Sequence, residues 1–111
     1  MDNQQELIVK AIQAYDYYSE SQKKTLVMLY QLSIDNIATI KVATLAGITG
    51  YSRYMIYKNL KQFAQDGILK FPDGGQKIVS TFKFNENKLQ SIVDIYQRRL
   101  TVISEQKSYG E

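Results

Sequence analysis

The sequence contains no cysteine and no histidine among its 111 residues. These absences exclude disulfide bonds, thiol nucleophiles, zinc fingers, imidazole metal ligands and serine-histidine-aspartate triads. Proline occurs once and glycine six times, so the chain has too few breakers for a disordered protein. No apolar run reaches the roughly 20 residues that a membrane crossing needs, and the polar start of the chain is unlike a secretory signal. We therefore expect a cytoplasmic protein with no membrane partner.

Catalytic and cofactor motifs are missing as well. The sequence has neither a G-x-G-x-x-G pattern nor a phosphate-binding loop, and its carboxylates are scattered without an obvious pair. Asp66 and Glu86 are interpreted as helix-end residues rather than as acids or bases. We expect no enzymatic activity, no metal and no cofactor.

The size of the chain indicates the number of domains, and its charge distribution indicates the kind of partner. A chain of 12.8 kDa with 44% hydrophobic residues is sufficient for one core, so residues 1–111 are expected to form a single domain. The net charge is +3, and the basic residues are concentrated in the middle. Residues 41–88 contain eight basic and three acidic side chains, whereas residues 1–40 contain three and five. This distribution favours a polyanionic partner.

Apolar periodicity predicts helices at both ends of the chain. Residues 5–18 carry one helical stripe of apolar side chains, and the Ser19-Gln22 spacing is that of a capping box that starts a second helix. Asn85 is placed to cap a final helix over residues 86–104, in which apolar residues recur with alternating spacings of four and three.

The middle of the chain combines short helices with short strands. We expect an extended piece at residues 37–40, a helix at 42–49, and a longer helix that Gly67 ends. Two apolar runs, 68–71 and 77–84, flank a Pro-Asp-Gly-Gly turn, which predicts a β-hairpin.

Residues 45–60 contain the most informative motif, L-A-x-x-x-G-x-S-R-x-x-I-x-x-x-L. Ala46 is small where two helices approach each other, and Gly50 stands where the turn needs a left-handed backbone. Ser52 is placed to cap the second helix, whose inner face carries Ile56 and Leu60.

With the following hairpin, this motif resembles the winged helix-turn-helix family over about residues 21–84. The resemblance implies a mainly α (α+β) fold: a three-helix core and a β-hairpin wing, with extra N- and C-terminal helices. It also implies a partner, double-stranded DNA, and a recognition helix, about residues 52–66, in the major groove.

Gly47 departs from the family pattern, because glycine inside a helix costs about 1 kcal/mol relative to alanine. Gly47 to Gly50 also spell G-x-x-G, the backbone-clamping loop of KH-type RNA-binding modules. That loop lacks basic residues here, and a KH-like RNA binder remains an alternative.

The outward face of the second motif helix follows from a rotation of about 100° per residue. Arg53 can bridge the two acceptors of a guanine, phenols can contact phosphates or thymine methyls, and lysines can bind phosphates. The hairpin can add a minor-groove or backbone contact. The candidate DNA-binding residues are Ser52, Arg53, Tyr54, Tyr57, Lys58, Lys61, Lys70, Gln76 and Lys77. The alternative is that these cations only solvate a surface helix and that the two tyrosines pack under a neighbouring element.

The terminal helices carry apolar stripes that a three-helix core does not need. Since symmetric duplex sites favour two-fold protein pairs, we expect a homodimer, as in many small winged-helix regulators. The candidate interface residues are Ile8, Ile12, Tyr15, Leu89, Val93, Tyr96, Leu100 and Ile103. The alternative is that the two helices pack on each other within one chain.

The biological role follows only from analogy with the family. It is transcription regulation, or an accessory function in the replication or transfer of a plasmid or phage. The rival from another class is a winged-helix protein interaction module that binds a protein partner and no nucleic acid.

Overall fold

The computed structural model describes residues 3–71 and 80–109 of the chain. The helices are α1 (Asn3–Gln13), α2 (Glu20–Leu32), α3 (Val42–Thr49), α4 (Arg53–Gln65) and α5 (Glu86–Tyr109). The strands are β1 (Ile37–Ile40), β2 (Leu69–Lys70) and β3 (Ser80–Phe84). They form one antiparallel sheet in the order β1-β3-β2. The described part of the chain is therefore mainly helical with a small three-stranded sheet.

Helix α2 begins with the predicted capping box. The Ser19 Oγ accepts a hydrogen bond from the Gln22 backbone N–H at 3.3 Å, and the Gln22 Oε1 accepts one from the Ser19 N–H at 2.8 Å. Two backbone donors at the start of the helix are thereby satisfied by side chains. The prediction of this helix start is confirmed.

Helix α1 is shorter than predicted: it ends at Gln13 and not at residue 18. Ser19, with φ −70° and ψ 168°, has the extended backbone of a cap, and residues 14–18 form the connection between α1 and α2. Arg99 of α5 holds the connecting segment: its Nη1 donates to the Ala14 carbonyl at 3.1 Å, and its Nη2 pairs with Asp16 at 2.8 Å. The helix thus ends where a distant side chain binds a free carbonyl group.

A tight turn precedes β1, the predicted extended piece. Asp35 and Asn36 have φ values of 51° and 65°, and Ile34 and Ile37 exchange two backbone hydrogen bonds of 2.9 and 3.0 Å. Aspartate and asparagine tolerate this left-handed backbone better than most residues, and two-residue hairpin turns require it. The turn delivers β1 to the edge of the sheet.

Strand β3 holds the sheet together because it pairs with both other strands. Ala38 of β1 lies opposite Phe82, and Leu69 of β2 lies opposite Phe84. These four side chains are buried and form the inner face that packs on the helices. The pairing of β2 with β3 agrees with the two strands predicted for the hairpin, whereas the predicted turn at residues 72–75 lies outside the described residues.

Helices α1 and α5 pack against each other within one chain, so the prediction of the dimer interface is wrong for three residues. Ile12, Leu89 and Val93 lie in the hydrophobic core and have no surface to offer a second copy. The half-buried residues of the predicted interface pack against the same core: Ile8, Tyr15 and Tyr96. The exposed ones are Leu100 and Ile103, at 45% and 50% exposure.

Helix α5 begins at the predicted Asn85 cap, whose Oδ1 accepts hydrogen bonds from the N–H groups of Asn87 and Lys88 at 3.0 and 3.3 Å. It continues to Tyr109 instead of residue 104, since no glycine or proline interrupts residues 86–109. Although it has 24 residues, neither it nor any other helix in the described chain is apolar enough to cross a membrane.

A buried polar link joins α4 to α2. The Asn59 Nδ2 donates to the Thr25 Oγ1 at 3.2 Å, and that hydroxyl donates to the Ser21 carbonyl at 2.7 Å. Both side chains are buried, so water cannot replace either partner. This link fixes the middle of α4 on the helical core.

We expect Thr25→Val to lower the free energy of unfolding by about 1–3 kcal/mol, because the buried Asn59 amide loses its acceptor. Thr101→Val is the matched control: its hydroxyl also donates to the carbonyl four residues back, at 3.1 Å, but the residue is exposed. The control should change stability by less than about 0.5 kcal/mol in urea denaturation. Equal losses in both variants would show that the Asn59 link does not stabilise the fold.

Candidate nucleic-acid interface

The turn between α3 and α4 depends on Gly50. Its backbone has φ 79° and ψ 8°, in the left-handed region, and its N–H donates to the Ala46 carbonyl at 2.9 Å. A Cβ at Gly50 would meet no atom within 4 Å, so the backbone conformation rather than space requires glycine. The predicted bend at this residue is confirmed.

Gly47 lies inside α3, which continues without a break to Thr49. The G-x-x-G sequence is therefore a helical segment with its end at Gly50, and not a loop that could clamp a nucleic-acid backbone. The KH alternative is wrong for this reason.

Ser52 starts α4 as predicted. Its backbone is extended, and its Oγ accepts a hydrogen bond from the Met55 N–H at 3.1 Å. The Ser52 carbonyl accepts the first helical hydrogen bond, from Ile56, at 3.0 Å. The cap and the turn together determine which side chains of α4 face the core.

Helix α4 has one buried and one exposed face. The buried face consists of Ile56, Asn59, Leu60 and Phe63. The exposed face, which we call the α4 surface, consists of Arg53, Tyr54, Tyr57, Lys58 and Lys61. Tyr54 is 77% exposed and Tyr57 is 40% exposed, so the alternative that both phenols pack under a neighbouring element does not hold.

The α4 surface carries three cationic groups that form no ion pair with a carboxylate in the part of the chain that the structure describes. In the described residues the ion pairs join Lys23 to Glu20 and Arg99 to Asp16, away from Arg53, Lys58 and Lys61. An exposed helix with a guanidinium in its first turn and ammonium groups farther along can donate hydrogen bonds to base edges and to phosphates.

Lys24 adds a cation that the sequence interpretation missed. Its Nζ lies 5.3 Å from the centroid of the Tyr51 ring, directly before the cap of α4. The attraction between an ammonium group and an aromatic face holds Lys24 beside the start of the α4 surface. The two residues are distant in the sequence, and no local pattern indicates their contact.

Lys70 is exposed but does not join the α4 surface. It lies directly opposite Lys83 on the outer face of the sheet, in a shallow depression shared with Asp35 and Glu86. Neighbouring residues in a strand point to opposite sides, and the next residue, Phe71, faces the space beside α4. The other two hairpin candidates, Gln76 and Lys77, lie outside the described residues.

The carboxyl end of α4 is braced by Asp66. Its Oδ2 accepts a hydrogen bond from the Tyr18 hydroxyl at 2.6 Å, and its Oδ1 accepts one from the Gln62 Nε2 at 3.0 Å. Burial raises the pKa of Tyr18 above its ordinary value of 10.0, and the hydrogen bond to Asp66 raises it further. Asp66 is thus a helix-end residue that ties α4 to the segment between α1 and α2.

Comparison with known proteins shows solved structures with a similar fold. No family model and no curated protein matches the sequence. The crystal structure of RV1404 from Mycobacterium tuberculosis is similar with a TM-score of 0.55 and 18% identity, over 91% of this chain and 69% of that one. A possible transcriptional regulator from Methanosarcina mazei Go1 has a TM-score of 0.52 and 17% identity, over 99% and 91%. At these identities the likeness concerns the fold alone.

The two glycines of α3 and its turn provide a matched test. Gly50→Ala should lower the free energy of unfolding by about 1–2 kcal/mol, because alanine disfavours the left-handed backbone. Gly47→Ala should raise it by about 0.5–1 kcal/mol, since the position is helical and a Cβ there meets no atom within 4 Å. Thermal and urea unfolding measure both changes, and a loss of stability in both variants would contradict this description of the turn.

The raised pKa of Tyr18 predicts a pH-dependent stability difference. Below about pH 10 the phenol is protonated in both states, and Tyr18→Phe should cost a constant amount of about 1–2 kcal/mol. Above that pH the phenol ionises in the unfolded chain before it does so in the folded one. The stability advantage of the parent protein over the variant should therefore shrink as the pH rises.

Urea denaturation between about pH 7 and about pH 11 measures this difference. Tyr17→Phe is the control, because that ring is exposed, and it should change stability by less than about 0.5 kcal/mol. A difference that stays constant over the alkaline range would rule out the bracing role of Tyr18.

Proposed function

We propose that the chain is a winged helix-turn-helix protein that binds duplex DNA with α4 in the major groove. The observation that carries the proposal is the α4 surface: an exposed guanidinium, two phenols and two ammonium groups on one face of a helix whose other face is buried. The order α3, glycine turn, α4 and sheet agrees with this family. The fold similarity to a possible transcriptional regulator also supports the proposal of DNA binding.

Arg53 is the proposed base-reading residue. The amino-terminal residues of a recognition helix reach base edges, and a guanidinium can donate two parallel hydrogen bonds to guanine O6 and N7. Tyr54, which is 77% exposed, can pack on a thymine methyl or donate to a phosphate.

Lys58 and Lys61 are the proposed phosphate-binding residues, with Lys24 as a further one near the helix start. Phosphate contacts set the position of the helix and carry little sequence information. Each neutralised phosphate releases counterions, so these lysines should account for most of the salt dependence. The tyrosine-rich surface would also suit a protein partner. Binding whose affinity does not depend on salt concentration would indicate such a partner.

A homodimer remains part of the proposal, but with a smaller interface than predicted. Its candidate residues are the exposed apolar side chains of the distal part of α5, namely Leu100, Val102 and Ile103. A two-fold pair would present two α4 helices to an inverted-repeat site. Transcription regulation, or an accessory role in plasmid or phage replication or transfer, is the proposed context, in the cytoplasm and without catalytic activity.

Fluorescence titration with random duplex DNA at about 50 and 200 mM salt should show a steep loss of affinity. Lys61→Ala should weaken binding to all sequences alike and reduce the salt slope by about 1, whereas Lys10→Ala, at an exposed position of α1, should change neither. A flat salt response would contradict DNA binding and favour a protein partner.

Arg53 needs a separate comparison on a DNA fragment selected from a random pool. Arg53→Ala should cost about 1–3 kcal/mol on that fragment and less on random DNA. Arg53→Lys retains the charge but loses the paired donors, so it should lose base preference and keep the salt slope. If Arg53→Lys retained the full preference, the assigned base-reading role would be wrong.

A further inference from the structure

A cavity of about 540 Å³ lies between α4 and the inner face of the sheet. It opens beside the α4 surface and shares Tyr57 and Lys61 with it. Its volume is in the range of sites that hold small organic molecules. Its apolar walls are Val42, Leu60, Ala64, Phe71 and Phe82.

Side-chain sizes explain why this space is open. Ala64 lies on the side of α4 that faces the sheet, one turn beyond Leu60, and its methyl group leaves room that a larger side chain would fill. Phe71 and Phe82 form the opposite wall, with ring centroids 5.4 Å apart and an interplanar angle of 80°. This edge-to-face packing gives the wall a defined shape.

The polar groups at the cavity share one chemical property. Lys61, Tyr57 and Gln65 can all donate hydrogen bonds, and no carboxylate is among the described residues that line the space. Lys61 carries a full positive charge, and no acidic side chain of the described chain pairs with it. An apolar molecule with one anionic group therefore complements both the walls and the rim.

We propose that this cavity binds a small aromatic carboxylic acid, with the ring against Phe71 and Phe82 and the carboxylate on Lys61. Tyr57 and Lys61 belong to the cavity and to the α4 surface at once. When the acid contacts these two side chains, they are no longer available to bind DNA. This second part of the proposal rests on the proposed function. Because binding free energies are linked, DNA and the acid then weaken each other's binding equally.

The first experiment uses the complete chain without DNA. We expect saturable binding of 2-naphthoate in isothermal titration calorimetry. Lys61→Met should weaken the binding of 2-naphthoate by about tenfold and leave that of the neutral analogue 2-naphthamide unchanged, because only the acid has a charge to pair. An equal effect on both probes, or no saturable binding of 2-naphthoate, would overturn the site.

Ala64→Phe should abolish the binding of both probes by filling the cavity, and Ala64→Ser should retain it. Thermal unfolding establishes that each variant is folded. If Ala64→Phe does not fold, nuclear Overhauser measurements on the parent protein with bound 2-naphthoate take the place of this test. Contacts from 2-naphthoate to Ala64 and Phe82 support the site, whereas contacts to other parts of the chain overturn it.

The second experiment repeats the DNA titration in the presence of saturating 2-naphthoate. We expect a several-fold loss of DNA affinity in the parent protein and no loss in Ala64→Phe. Unchanged DNA affinity at saturation would overturn the coupling. If the parent protein does not bind DNA without 2-naphthoate, the proposed function fails, while the calorimetry still decides the binding site.

Discussion

The left-handed backbone of Gly50 determines the direction in which α4 leaves α3, and the candidate surface depends on that direction. A different backbone conformation at this residue would change the angle between α3 and α4 and disturb the packing of Ile56 and Phe63 in the core. The glycine is required for its φ of 79°, and not for space, because a Cβ would have room there. The turn at Gly50 and the cap at Ser52 therefore together determine which face of the helix meets the core.

Contacts at three points along α4 keep it in this orientation. Ser52 caps its first turn, Asn59 bonds to Thr25 in its middle, and Asp66 bonds to Tyr18 at its end. A helix held in this way presents its exposed side chains without further ordering of the backbone, which lowers the entropic cost of binding a duplex. The cavity beside α4 is lined by side chains of the same helix, so the proposed ligand and DNA would compete for side chains whose backbone is already fixed.

Most helix starts and stops could be predicted from local signals in the sequence. Contacts between distant segments could not be predicted in this way. The Ser19 capping box, the Gly50 turn and the Asn85 cap each involve residues within a few positions of each other. By contrast, nothing in the sequence indicates that β1 pairs with β3, or that Lys24 lies over Tyr51. The apolar stripes of the terminal helices were recognised, but periodicity does not reveal whether a stripe meets its own chain or a second copy.

The most direct test of contact between the α4 surface and duplex DNA is a DNA titration followed by the amide chemical shifts of the protein. We expect the largest changes at residues 51–61 and at Lys24, and small changes along α1 and at the buried residues of α5. Changes concentrated on the outer face of the sheet or on α5, with α4 unaffected at saturation, would contradict this expectation.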